Sequence, residues 1–236
     1  MPNRKKSRQT RNQEPEKARR FNSTINVVPK TDGQEDYIDL IEYEDITICN
    51  GKAGTGKTLL SIGMALKLLK EFPAKYKRIV MVRPAVTVMG EDLGHLPGDL
   101  DSKMQPFMLP MIDSLKYYLQ NSDYLTMMEN GTLEISPIAY MRGRTFNNCI
   151  IIFDEAQNST VAQMKMVITR IGFNTKLIIE GDVTQSDLQG DSGFNNGLRD
   201  AMTRFEGVEG VGVCHLKNRD ILRSPILARL LRTYEE

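Results

Sequence analysis

Residues 51–58 combine three glycines with lysine and threonine in a spacing that can bind phosphate. They read Gly-Lys-Ala-Gly-Thr-Gly-Lys-Thr. Glycines let the backbone curl so that successive N–H groups point at one phosphate, and a following helix adds the positive end of its dipole. In this pattern the lysine reaches the β- and γ-phosphates and the last threonine hydroxyl takes one Mg²⁺ position. We therefore expect a nucleotide site with bound Mg²⁺. Its loop residues are Gly51, Lys52, Ala53, Gly54, Thr55, Gly56, Lys57 and Thr58.

The alternative for this octapeptide is a glycine-rich surface turn that holds a lysine by accident. Its neighbours favour the phosphate loop. Residues 45–50 resemble a buried strand, and residues 59–70 have the apolar spacing of a helix. A strand, then the loop, then a helix is the setting that the motif requires.

A second candidate group is the acidic pair Asp154 and Glu155, which follows the apolar run 149–153. In P-loop enzymes, the first carboxylate holds Mg²⁺ and the second orients or deprotonates the attacking water. Two acids could instead begin a solvated helix, where negative charge is favourable. Beside an intact phosphate loop we favour the metal site, and Glu155 favours hydrolysis over phosphoryl transfer to a small molecule.

Length and composition indicate one globular domain. The 236 residues suffice for a single α/β domain with a sizeable core, and the 40% apolar and 26% charged content is close to globular averages. No run approaches the length of a membrane span, and the start has no apolar leader, so we expect a cytoplasmic protein without membrane contact. The three cysteines lack paired spacing and are expected to be buried, reduced thiols.

The net charge of +1 hides an uneven distribution. Residues 1–20 hold eight Lys or Arg and two Glu, a net of +6, so the other 216 residues carry a net of −5. We expect a basic, flexible arm over 1–22 and a single domain over 23–236. Such an arm can contact phosphate backbones by counterion release, or it can simply keep the chain soluble.

The apolar runs predict strands alternating with helices. Strands are expected at 21–28, 45–50, 77–82, 133–135, 149–153, 176–180 and 211–215, and helices at 34–43, 59–70, 111–120, 160–170 and 224–234. Thr31 and Gln34 resemble a capping box at the first helix. Residues 87–110 are expected to form a long loop because Gly and Pro recur there. The pattern predicts an α/β fold with a mostly parallel sheet covered on both faces.

Eight segments, taken in order, resemble the PhoH family of cytoplasmic ATPases. They are 51–58 (GKAGTGKT), 83–86 (RPAV), 93–99 (LGHLPGD), 139–145 (AYMRGRT), 154–158 (DEAQN), 163–166 (QMKM), 169–172 (TRIG) and 181–185 (GDVTQ). The resemblance spans about residues 25–234 and implies a P-loop NTPase with a RecA-like, three-layer α/β/α domain, related to the first lobe of superfamily-one helicases. Lys52 stands where the family usually has proline, and Ser224 where it usually has histidine.

The resemblance also implies roles for single residues. Gln34 is similar to the glutamine that reads adenine, since a carboxamide can pair with both N6 and N7; as a plain helix residue it would be solvated. Gln185 is similar to the glutamine that senses the γ-phosphate. Arg142 and Arg144 lie where helicase lobes contact a strand, although either could be a surface charge.

One arginine has a proposed role across a subunit boundary. We expect a single lobe, without a second one to donate a catalytic arginine, and the transition state of phosphoryl transfer benefits from such an arginine. We expect Arg223 to act on a neighbouring subunit in a homo-oligomer such as a hexameric ring, as the resemblance implies. The expected function is Mg²⁺-dependent ATP hydrolysis applied to RNA or other single-stranded nucleic acid, with Lys57, Glu155 and Arg223 as catalytic residues. An ATP-dependent oligomeric switch or scaffold and a small-molecule kinase are the alternatives.

Overall fold

Six α-helices and six β-strands lie in the described part of the chain, which comprises residues 21–84, 100–186 and 195–222 of a computed structural model. Over residues 100–107 only the backbone is described. The helices are α1 (Asp32–Tyr43), α2 (Lys57–Glu71), α3 (Leu100–Tyr118), α4 (Asn121–Glu129), α5 (Val161–Ile168) and α6 (Gly197–Phe205). The strands are β1 (Ile46–Gly51), β2 (Arg78–Arg83), β3 (Leu133–Pro137), β4 (Cys149–Phe153), β5 (Lys176–Gly181) and β6 (Val211–Leu216).

The six strands form one sheet in the order β3-β2-β4-β5-β1-β6, and each neighbouring pair is parallel. Parallel strands place their carboxyl ends at the same edge of the sheet. The phosphate loop after β1 and the acidic pair after β4 therefore leave the sheet at one edge, with β5 between them. The predicted parallel α/β fold is confirmed.

Helices cover the sheet on both faces, which gives three layers. Side chains of α1, α2, α3 and α4 form one apolar cluster with one face of the sheet, and those of α5 and α6 form a second with the other face. β4 shows the division: Ile150 and Ile152 belong to the first cluster, whereas Cys149, Ile151 and Phe153 belong to the second. Every β4 side chain is buried, which explains why its sequence is a continuous apolar run.

Helix α3 begins at Leu100, so the predicted loop over 87–110 and the predicted helix start at 111 are wrong for the residues described. Pro106 and Pro110 lie inside this helix, where each removes a backbone hydrogen bond. Met108, Met111 and Leu115 are buried in the core on one helical face. Their packing outweighs the proline penalty, because most helix stability in proteins comes from tertiary contacts.

The predicted strand at 21–28 is wrong, because this segment has no partner in the sheet. Its β-branched residues instead cross the helical face as an extended connection. Asn22 N and Ser23 N donate to Asp123 Oδ2 at 2.9 and 2.7 Å, and the Ser23 hydroxyl donates to the same oxygen at 2.5 Å. Phe21 is buried in the core. Phe21 therefore packs with the domain and Asn22 is hydrogen-bonded to it, although the sequence assigns both residues to the arm.

Helices α4 and α6 are absent from the predicted elements. The sequence signal for α6 is its N-cap residue, since Asn196 Oδ1 accepts a hydrogen bond from Arg199 N at 3.0 Å.

The predicted helix at 224–234 and residues 1–20 lie outside the described residues. Cys49, Cys149 and Cys214 are free and buried, as expected. Among the described helices, none combines the length and the apolar character that crossing a membrane requires.

Candidate nucleotide site

The phosphate loop leaves β1 and enters α2 through two glycines with left-handed backbones. Gly54 has φ 88° and Gly56, the residue that caps α2, has φ 83°. Only glycine adopts this region without steric cost. The Thr55 hydroxyl donates to Lys52 O at 2.8 Å and closes the turn. The loop is therefore a built turn at a helix N-terminus, the geometry that binds anions.

Lys57 folds back over the loop that precedes it. Its Nζ donates to Gly51 O at 2.5 Å and to Lys52 O at 3.3 Å. The side chains of Lys52 and Ala53 are exposed at the rim of the same turn. The ammonium of Lys57 thus lies where the loop would hold a phosphate, while the Lys52 side chain extends into solvent.

Thr58 and Asp154 meet across the edge of the sheet. The Thr58 hydroxyl donates to Asp154 Oδ1 at 3.3 Å, and Glu155 N donates to the same oxygen at 2.9 Å. Asp154 is 1% exposed, and its Oδ2 accepts no hydrogen bond. A hydroxyl and a carboxylate side by side are hard oxygen donors of the kind that Mg²⁺ takes. These two predicted metal ligands therefore fit a magnesium ion.

Burial raises the pKa of the Asp154 carboxyl, Arg83 opposes that rise, and Glu155 adds to it. Arg83 Nη2 lies 3.0 Å from Asp154 Oδ2. The carboxylate thus sits in a desolvated position beside one like charge and one opposite charge. A cation at this point is favoured because it removes the cost of keeping the carboxylate ionised.

Glu155 has a left-handed backbone, with φ 53°, which is uncommon for a residue other than glycine. Its side chain is 40% exposed. Oε1 accepts from Arg83 Nη2 at 3.2 Å, and Oε2 accepts from Gln157 Nε2 at 2.5 Å. The carboxylate is therefore accessible, as a group that orients water must be, and held from two sides.

Gln34 lies against the phosphate loop, and its role as the residue that reads adenine stays a prediction. Its Nε2 donates to Thr55 O at 2.9 Å, its Oε1 accepts from Lys30 N at 2.8 Å, and it is 2% exposed. Thr31 Oγ1 accepts from Gln34 N at 3.3 Å, but the Gln34 side chain reaches Lys30, so only half of the predicted capping box forms.

A cavity of about 520 Å³ opens beside Gln34 and the loop. Tyr117 and Tyr118 of α3 line it, with ring centroids 5.0 Å apart and edge to face. Gly63 of α2 lets Tyr118 approach, because a Cβ there would lie 2.6 Å from the Tyr118 ring. Aromatic walls, a carboxamide and the adjacent phosphate loop suit a nucleobase. Neither tyrosine is singled out by the sequence pattern.

Gln185 lies in a turn at the same edge of the sheet. Its N donates to Asp182 O at 3.0 Å and its side chain is exposed. Val183 N donates to Asn50 Oδ1 at 3.1 Å, which ties this turn to the end of β1 and hence to the phosphate loop. The position suits a residue that responds to the nucleotide.

The arginines predicted to contact nucleic acid differ in their surroundings. Arg144 donates to both oxygens of Glu134, at 2.5 and 2.8 Å, and stacks 4.5 Å above the Phe146 ring. Both partners lie towards the amino ends of the strands, away from the phosphate loop. Arg142 is exposed. Arg142 is therefore the better placed of the two to reach a strand.

Arg223 lies outside the described residues. The preceding residue, Leu222, donates its N–H to Gly54 O at 3.0 Å, so the chain returns to its own phosphate loop just before Arg223. The role of Arg223 across a subunit boundary stays a prediction.

Glu180 is a buried carboxyl beneath the site that sequence patterns do not reveal. Its Oε1 accepts from the Ser61 hydroxyl at 3.1 Å and its Oε2 from the Tyr37 hydroxyl at 2.9 Å. It thereby joins α2, α1 and β5. Burial raises the pKa of Glu180 from 4.5 to about 8, and Asp154 adds to the rise.

We predict that Glu180→Gln removes part of the pH dependence of stability. Between pH 4.5 and 8 the folded state keeps this proton while the unfolded chain loses it, so stability falls as pH rises through this window. From about pH 5.5 to 7.5 the native protein should lose about 2 kcal/mol more than Glu180→Gln in urea unfolding. Equal losses in the two proteins would contradict the prediction. Glu42→Gln, at a partly exposed pair with Lys67, should leave the dependence unchanged.

The fold and the phosphate loop define a P-loop protein of the ATPase type. Comparison with known proteins identifies the family within this class. The family model described as PhoH-like protein matches residues 26–235. The chain belongs to the PhoH family.

Curated relatives agree. The chain is 45% identical over 206 residues to a PhoH-like protein of Synechocystis, covering 87% of this chain and 61% of the relative. It is 42% identical to one of Bacillus subtilis, covering 88% and 63%, and 41% identical to Protein PhoH of Escherichia coli K12, covering 92% and 60%. The chain thus spans about three fifths of the length of these relatives.

Solved structures give weaker likenesses. The chain matches the Pif1 helicase of Candida albicans with a TM-score of 0.41 and 13% identity, covering 88% of this chain and 44% of that one. It matches a SWI2/SNF2 ATPase core of Sulfolobus solfataricus, solved in complex with double-stranded DNA, with a TM-score of 0.43 and 13% identity, covering 91% and 53%.

Proposed function

We propose that this protein binds ATP with Mg²⁺, hydrolyses it, and applies the energy to RNA as a helicase-like remodeller. The contact between Thr58 and Asp154 carries the first part of the proposal, because it joins the phosphate loop to the acidic strand end at one point. Two oxygen donors from separate elements, beside a loop built to hold phosphate, are what a metal-assisted nucleotide site needs.

Each residue of the site has a separate task. The loop amides and the N-terminus of α2 bind the phosphates, and Lys57 moves from the loop carbonyls to the β- and γ-phosphates. Thr58 and Asp154 would hold Mg²⁺, which would neutralise charge that develops on the phosphate oxygens. The Glu155 carboxylate orients the water in line with the γ-phosphate and accepts its proton.

The cavity beside Gln34 is proposed to take the base. We predict that Gln34→Ala weakens ATP binding about tenfold and reduces the preference for ATP over GTP. The reason is that adenine N6 and N7 would lose their hydrogen bonds to the carboxamide and stay unpaired in a buried site. Competition binding with ATP and GTP measures both effects. Gln163→Ala is the control, because Gln163 likewise stands three residues after a threonine N-cap, at α5 and at a distance from the loop, where its side chain completes the capping box. Unchanged base preference in Gln34→Ala would show that this residue does not read the base.

Action on RNA rests on the family resemblance and on charge. The basic arm with its net charge of +6 and the exposed Arg142 are the proposed contacts. A homo-oligomer, a cytoplasmic location and the role of Arg223 across subunits belong to the same proposal. Phosphate contacts of this type weaken with salt, because binding releases counterions.

The alternative is an ATP-dependent oligomeric switch or scaffold that separates no strands. One observation favours it: Arg144 forms an ion pair with Glu134, so fewer basic groups are left to bind a nucleic-acid strand. A small-molecule kinase is disfavoured because it needs no water-orienting carboxylate at Glu155.

ATP turnover with and without single-stranded RNA tests the proposal. We expect turnover to rise with RNA, and this rise to shrink in Arg142→Gln and at higher salt. Arg204→Gln is the matched control, since Arg204 is exposed and paired with Asp200 on α6. Turnover that ignores RNA favours the switch, and no turnover at all refutes the proposed enzyme.

A further inference from the structure

Arg83 lies at the end of β2, beside the acidic pair, and has no part in the mechanism above. The sheet itself places it there. Val82 pairs with Phe153 in the register of β2 and β4, and Asp154 N donates to Val82 O at 2.9 Å. The residues that follow, Arg83 and Asp154, are therefore neighbours across the two strand ends.

One guanidinium nitrogen of Arg83 bridges both carboxylates. Nη2 lies 3.0 Å from Asp154 Oδ2 and 3.2 Å from Glu155 Oε1, and the Arg83 side chain is 14% exposed. Charge-assisted contacts in such a poorly hydrated position are stronger than those on the open surface. The bridge fixes the position of Glu155 relative to Asp154.

The second oxygen of Glu155 is held by Gln157. Gln157 Nε2 donates to Glu155 Oε2 at 2.5 Å, and Gln157 Oε1 accepts from Asp182 N at 3.0 Å. Gln157 is 2% exposed, so its carboxamide has little freedom to turn. Each carboxylate oxygen has two acceptor sites, so Glu155 can still accept a hydrogen bond from water while it is held.

We propose that Arg83 is a positioning residue for hydrolysis, which holds the Glu155 carboxylate towards the attacking water, with Gln157 as the second support. This inference rests on the proposed function. Without Arg83, the half-exposed Glu155 side chain can adopt several rotamers, and few of them align a water molecule. A misplacement of about 1 Å in such a group can cost about a hundredfold in rate.

Nucleotide affinity and turnover separate this role from a direct contact with phosphate. In Arg83→Gln, we expect kcat to fall about tenfold to a hundredfold, since a charge-assisted hydrogen bond is lost. Affinity for a non-hydrolysable ATP analogue with Mg²⁺ should stay within about twofold, because the phosphate loop supplies it. Arg83→Lys should recover only part of the rate, since an ammonium lacks the planar fork. Arg78→Gln, at the other end of β2, is the matched control.

A double-mutant cycle with Glu155→Gln tests whether Arg83 acts through Glu155. When Glu155 is already changed to Gln, Arg83→Gln should lower the single-turnover rate little further, because the effects of mutations in residues that act as a unit do not add. In the nucleotide-free protein, Arg83→Gln should lower the midpoint of thermal unfolding more than Arg78→Gln does. The shift caused by Arg83→Gln should be smaller when Glu155 has already been changed to Gln.

Any of the following results would overturn the inference: a full further loss of rate in the double variant, analogue binding weakened tenfold or more in Arg83→Gln, or additive midpoint shifts in the nucleotide-free protein. A native protein without turnover removes the proposed function and this inference together. Normal native turnover that Arg83→Gln leaves unchanged removes the inference alone.

Discussion

Glu155→Gln should abolish almost all ATP turnover and leave ATP binding intact. The amide has about the size of the carboxylate and stays between Arg83 and Gln157, although its hydrogen bonds to them change. It cannot, however, accept a proton from water. General-base catalysis of this kind contributes about 10²- to 10⁴-fold, so we expect a loss in kcat of that size. Single-turnover hydrolysis of labelled ATP, together with equilibrium binding, measures the two properties separately.

The control for this variant is Glu129→Gln, at an exposed carboxylate at the end of α4. It should hydrolyse ATP at the native rate. Native-like turnover in Glu155→Gln would remove Glu155 from the catalytic site, and a joint loss of binding and turnover would indicate that the residue supports the fold of the loop.

Lys57→Ala should weaken ATP binding about tenfold to a hundredfold, because one charge-assisted contact with phosphate is worth roughly 1.5–3 kcal/mol. The structure adds a second reason. Lys57 Nζ bonds Gly51 O and Lys52 O, so its removal also loosens the turn that holds the amides. Equilibrium dialysis with ATP and ADP measures the effect, which should be larger for ATP if the lysine reaches the γ-phosphate.

Lys52→Ala offers a matched comparison, since it removes the same charge from the same loop at an exposed position. We expect its affinity to stay within about threefold of the native value. Equal losses in the two variants would mean that net charge, and not the position of Lys57, determines binding.

Local patterns predict the phosphate loop and the acidic strand end because both are contiguous in sequence. The spacing of Gly54, Gly56 and Lys57 specifies a turn followed by a helix, and the run before Asp154 specifies a strand buried on both faces. The strand at 21–28 fails for the opposite reason. Its β-branched residues indicate only that the segment fits a half-buried surface. Its actual position depends on hydrogen bonds to Asp123, which lies about 100 residues away in the sequence.

The positioning contacts could not be predicted, because sheet register and helix packing create them. Arg83 meets Glu155 since β2 and β4 are neighbours, although their residues lie 72 positions apart. Arg144 is a related case, where the sequence suggests a strand contact and the fold supplies Glu134 as a partner. A long helix through Pro106 and Pro110 likewise depends on a core that propensity does not describe.

Calorimetric titration of the native protein with ATP and Mg²⁺ tests the central claim most directly. We expect saturable binding of one nucleotide per chain, which Lys57→Ala weakens and Glu155→Gln preserves. Folded protein that takes up no ATP in the presence of Mg²⁺ would contradict the claim that the loop after β1 and the carboxylate after β4 form one nucleotide site.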